Sequence, residues 1–134
     1  MFAPHKSFAG TYQRVHVETS VTDASPHRLV GMLFDGALGA ISAARGDLAR
    51  GDLAGKGARI GRAVRIVEEG LRGGLDHQAG GSVAANLDPL YAYVVKRLTH
   101  ANLHNDDAAL SECADLLGPL RDAWAAMVVP PARA

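Results

Sequence analysis

The sequence predicts an all-α fold, an antiparallel four-helix bundle, and three observations carry that expectation. From Ser25 onward apolar residues recur at helical spacing, the mark of amphipathic helices. Turn residues at Gly51-Asp52, Gly73-Gly74 and Asn105-Asp106 cut this stretch into four segments, and connections this short place successive helices antiparallel. No alternating apolar and polar run rich in β-branched residues suggests a strand.

A chain of 134 residues, 48% apolar, is one domain able to bury a core. Residues 1–24 are polar and irregular and read as a flexible N-terminal arm, with a short ordered piece around residues 12–17. The bundle is expected over 25–128, followed by a disordered tail over 129–134.

The first helix should span 26–49. Ser25 offers an N-cap acceptor, and Pro26 at the first helical position loses no needed N–H. Its apolar surface is the widest of the four. Leu29, Leu33, Gly36, Ala40 and Ala44 form one stripe, and Val30, Phe34, Ala37, Ile41 and Leu48 form another. The second helix should span 53–72 and stop at the Gly73-Gly74 pair. Leu53, Ile60, Val64, Val67 and Leu71 share its face, whereas Ile66 falls away from it.

The third helix should span 82–102, with Val83, Leu87, Leu90, Tyr91, Val94 and Leu98 together and Tyr93 and Val95 on the flanks. Pro89 disturbs it, because proline removes a hydrogen bond and clashes with the preceding turn. Either the helix kinks there while staying nearly continuous, the favoured arrangement, or it starts at Pro89 with Asp88 as N-cap. The fourth helix follows Asn105-Asp106 and ends near Met127, before Pro130-Pro131. Leu110, Cys113, Leu117, Leu120, Trp124 and Met127 form its face.

Composition narrows the function. Fourteen basic and fourteen acidic residues give zero formal net charge, and there is no basic stripe for nucleic acid or an anionic membrane. The single cysteine, Cys113, cannot form an internal disulfide and fits a reducing compartment. Residues 1–10 contain no continuous apolar run of a signal peptide, and no segment approaches the roughly 20 apolar residues of a membrane span. The expectation is a cytoplasmic protein with no membrane insertion.

Catalytic chemistry is not assembled. His100 and His104 are four apart, near Asp106 and Asp107, but a histidine near a helix C-terminus has the simpler role of complementing the dipole. Gly80-Gly81 lacks the lysine and strand of a phosphate loop. No nucleophile, base and oxyanion site come together, so neither enzyme activity nor a cofactor is expected. The surplus apolar surface either covers bundle edges or lines an outer groove for a partner segment.

Two blocks carry a resemblance. Residues 25–37 read Ser-Pro-His-Arg-Leu-Val-Gly-Met-Leu-Phe-Asp-Gly-Ala, and residues 80–93 read Gly-Gly-Ser-Val-Ala-Ala-Asn-Leu-Asp-Pro-Leu-Tyr-Ala-Tyr. Arg97-Leu98, Ala101-Asn102 and Trp124 follow in order. Over roughly residues 12–127 this set resembles the FliS family of flagellar export chaperones. The resemblance implies a chaperone that holds the disordered C-terminal segment of flagellin on apolar surface outside the bundle, blocking premature polymerisation. It implies a tyrosine in the N-terminal segment that touches the client or covers the groove, a description that Tyr12, with Val15 beside it, fits. With the helix-face surplus, it directs client contact to Tyr12, Val15, Phe34, Ile41, Ile66, Tyr91, Tyr93 and Val95. It leaves room for docking to the flagellar export gate. The oligomeric state stays open between monomer and weak dimer. The competing reading is a self-associating helical scaffold.

Overall fold

The computed structural model describes residues 25–127, so the expectations for the arm and for the tail lie outside the described residues. Four helices follow in order, with no strand among the described residues: α1 Pro26–Ala49, α2 Leu53–Arg65 running on into a π-helical segment Ile66–Arg72, α3 His77–His104 and α4 Asp107–Ala126. Helix α1 packs against α2, the π segment and α4, and α3 closes the bundle against α2, the π segment and α4. The chain is an all-α helical bundle.

Side-chain caps set the boundaries. The Ser25 hydroxyl accepts from the Arg28 N–H, Asp52 from Gly55 and Asp106 from Ala109. Each satisfies a donor that the first helical turn leaves free. Asn105 ends α3 in the left-handed conformation, at φ 51°, which asparagine tolerates better than most residues. The core is built by Leu33, Ile41, Ile60, Ile66, Leu98, Leu110 and Leu117, all fully buried. Burying each such side chain contributes about 1.5–3 kcal/mol.

Ile66 is therefore core, which corrects its expected place on an outer face. The sequence argument carried one 3.6-residue period through the second helix. Within the π segment the Gly73 N–H donates to Glu68 O, five residues back, and the wider turn rotates the side chains that follow. The segment is also wedged between α1 and α3. Ile66-Val67 and Gly70-Leu71 are consequently buried as adjacent pairs, a pattern no single stripe produces. Gly70 is needed for that approach: a Cβ there would lie 2.9 Å from Leu33 Cδ1 and Cδ2. Leu53, expected on the core face, is 53% exposed at the start of α2.

Helix α3 starts earlier than expected because Asp76 accepts from the Gln78 and Ala79 N–H groups. Its non-helical dihedrals lie at Gly81, φ 53° and ψ −126°, not at Pro89. Pro89 and the nearby Ala85 and Asn86 are exposed, so water can take the carbonyl that proline leaves unpaired. Asp88 is no N-cap either. It accepts from Arg72 Nε at 2.6 Å and fastens α3 to the π segment.

Lys56 is 5% exposed and donates through Nζ to Asn102 O at 2.8 Å and Asn105 Oδ1 at 2.6 Å. It thereby joins α2 to the C-terminal end of α3. Lys56→Met keeps the alkyl stem and leaves both acceptors without this donor. The expected cost is about 1–3 kcal/mol, read by urea denaturation.

Length and composition alone admit α1 as a membrane span, with a mean hydropathy of 1.2 in its most apolar window, against the sequence expectation. Its apolarity has another use here: Leu33, Phe34, Ala37, Ala40, Ile41 and Ala44 are buried in the bundle.

Candidate functional site

The apolar stripes of α3 and α4 outrun the core they help to build. On α3, Tyr91, Val94 and Leu98 are buried, Leu87 is half-buried, and Val83 is 63% exposed. On α4, Leu110, Cys113 and Leu117 are buried, Leu120 and Trp124 are half-buried, and Met127 is 51% exposed. These two frayed stripes face one another at one end of the bundle. With Val30 and Phe34 of α1 and Leu71 of the π segment, they enclose a groove of about 470 Å³. Among the described residues, Asp76 is the one charged residue in its lining. Burial pushes the Tyr91 hydroxyl up to about 12, so it stays a neutral phenol near pH 7.

A reciprocal clasp fixes the groove's α1–α4 corner. Trp124 Nε1 donates to His27 O at 2.8 Å, and His27 Nε2 donates to Trp124 O at 2.8 Å. The two rings stack with centroids 5.0 Å apart. The first turn of α1 is thus tied to the last turn of α4, and the indole is held against the groove.

The residues singled out from the sequence fall in four places. Phe34 and Tyr91 are buried, at 2% and 3% exposure, and form the floor of the groove. Ile41 and Ile66 are fully buried in the core, so neither can touch a partner unless the bundle opens. Tyr93 is 43% exposed and Val95 half-buried on α3, away from the groove lining. Tyr12 and Val15 lie outside the described residues. Of the residues that the sequence places on core stripes, Val83 and Met127 are exposed groove wall, while Leu87 and Trp124 pack against the core and line the groove as well.

Tyr93 is anchored on its own side of α3. Its hydroxyl donates to Glu112 Oε2 at 2.6 Å, and Arg97 Nε donates to Glu112 Oε1 at 2.7 Å. The Tyr93 hydrogen bond, then that of Arg97, holds the Glu112 carboxyl below its ordinary value of 4.5. A depressed carboxyl stabilises the fold above its unfolded pKa and loses that effect as pH falls through the folded value. Glu112→Gln should therefore melt below the parent at neutral pH, and the gap should close as pH drops below 4.5; thermal melts at stepped pH read it.

Other reactive groups are quiet. Cys113 is buried, its thiol pushed up to about 12 by burial. His100 faces Asp106 at 3.3 Å. Among the described residues no three His, Cys, Asp or Glu side chains converge as metal ligands would.

Fold and groove together define a class: a helical bundle with a peptide-sized apolar groove at one end. The family described as flagellar protein FliS matches residues 8–131. The chain belongs to the FliS family. It is 46% identical over 113 residues to the flagellar secretion chaperone FliS of Salmonella typhimurium strain LT2, covering 84% of each protein. It is 43% identical to the flagellar secretion chaperone FliSB of Pseudomonas aeruginosa, over 84% of this chain and 89% of that one. Against the flagellar secretion chaperone FliS of Escherichia coli K12 it is 39% identical, over 90% of this chain and 88% of the relative.

Proposed function

We propose that this protein is a flagellar export chaperone that acts in the cytoplasm and binds the disordered C-terminal segment of flagellin in the groove. The observation that carries this reading is the groove itself: apolar, partly aromatic and, among the described residues, with one charged lining residue, at the end of a bundle of the FliS family. Holding that segment keeps flagellin from polymerising before export. Ordering a disordered client costs roughly 2–5 kcal/mol, which a long apolar contact offsets. Val83, Leu87 and Trp124 contact the client in the groove, over a floor made by the buried Phe34 and Tyr91. Tyr93 and Val95 extend the contact along α3, and Tyr12 and Val15 add to it from the N-terminal segment. The loaded chaperone then docks at the export gate. No catalytic step or cofactor enters this role.

Titration calorimetry with a flagellin C-terminal peptide tests the reading. The expected result is one-to-one binding with a clearly negative heat-capacity change from apolar burial. A flat titration at tens of micromolar, with the helical circular dichroism signal intact, sinks the proposal. Self-association strengthening with concentration in that same flat case would favour a scaffold.

A further inference from the structure

We infer that residues 128–134, which follow α4 directly, dock in cis along the apolar groove and compete with the client. This rests on the groove being the client site. Place is the first argument. Met127 lines the groove, and the backbone leaves it at φ −64° and ψ 132°, in the polyproline II region. The next residues read Val-Val-Pro-Pro-Ala-Arg-Ala. Proline fixes its own φ and drives the preceding residue out of the helical region, so Val129, Pro130 and Pro131 favour continuing extended. At about 3.1 Å per residue seven residues reach about 22 Å, about twice the 8–10 Å between packed helices.

Chemistry is the second argument. Pro-rich segments dock in aromatic-lined grooves at low ordering cost, because their bound conformation is preformed. Trp124, half-buried, supplies the aromatic wall, over a floor made by the buried Phe34 and Tyr91. Among the described residues Asp76 is the one charged residue of the lining, and Arg133 is the one charged side chain in residues 128–134. Their signs are opposite.

The tether removes the need for high affinity. A short link gives an effective concentration in the millimolar range, so a millimolar intrinsic affinity half-fills the groove. The client's apparent dissociation constant then rises by the reciprocal of the open fraction, about twofold.

Trp124 is the sole tryptophan, so its emission reports groove occupancy without any client. The test compares the parent with the full-length double variant V128S/V129S and with a chain ending at Met127. Both changes should shift Trp124 emission to longer wavelength and speed amide exchange over residues 83–91. A synthetic peptide of residues 128–134 added to the shortened chain should reverse the shift. Client titration should tighten about twofold. Unchanged emission and exchange in both variants overturn the inference. So does a red shift that appears only on deleting residues 1–24, which makes that segment the occupant, or only on dilution, which makes it a second copy. A flat client titration beside the expected fluorescence shift refutes the client reading and supports the tail.

Discussion

Val83→Asp should leave the bundle as stable as the parent and weaken flagellin-peptide binding roughly 30-fold or more, about 2 kcal/mol. Val83 is 63% exposed in the free protein and lies in the groove lining, so removing its methyl groups empties no cavity. Exposed substitutions change stability by about 0.5 kcal/mol or less. Here the new carboxylate also falls in the first turn after the Gly81 break, where negative charge suits the helix dipole. In a complex the same carboxylate would be stripped of water against an apolar client, with no basic residue in the described groove lining to pair with it. Calorimetry and a urea melt on one preparation separate the two effects. Unaltered affinity would move the client off the groove. Tyr93→Asp is the informative partner, since it sits on the far strip of α3 and should cost less binding.

Ile66→Ala should destabilise the bundle by about 2–5 kcal/mol, the usual range for emptying a fully buried isoleucine site. For a domain of this size each kcal/mol lowers the melting temperature by about 4 °C, so a fall of about 8–20 °C is expected. Ile66→Val, which removes one methylene, should cost about 0.5–1.5 kcal/mol. The ordering follows from the wedge position of the π segment, where Ile66 and Val67 are both fully buried. A melt unchanged by Ile66→Ala, with client binding lost, would return Ile66 to the surface and undo the π-helical assignment.

Helix number and most boundaries could be read from the sequence because caps and glycines act locally. Ser25, Asp52 and Asp106 each accept from the backbone N–H of the third residue of the helix they start. The π segment could not be read. Its geometry depends on packing between α1 and α3, and Ile66–Arg72 carries no residue type that demands the wider turn. Pro89 misled because the rule against helical proline assumes that the freed carbonyl is buried. The groove was half visible. Phe34 and Tyr91 stood out on helix faces, but Val83, Leu87, Trp124 and Met127 looked like core. Periodicity shows which residues share a face; it does not show where along that face the neighbouring helix stops.

The His27–Trp124 clasp has a consequence for how the chain can be rewired. It brings the beginning of α1 and the end of α4 within direct hydrogen-bonding distance. A short Gly-Ser bridge from Met127 to Ser25 would span that gap, and adjacent ends are what circular permutation requires. New termini could then be opened at the exposed Gly51 turn, at the opposite end of α1 from His27. Order along the polypeptide would change while every helix kept its neighbours. A permuted protein that folds and still takes the client would show that the bundle's shape, not the sequence of its assembly, makes the groove.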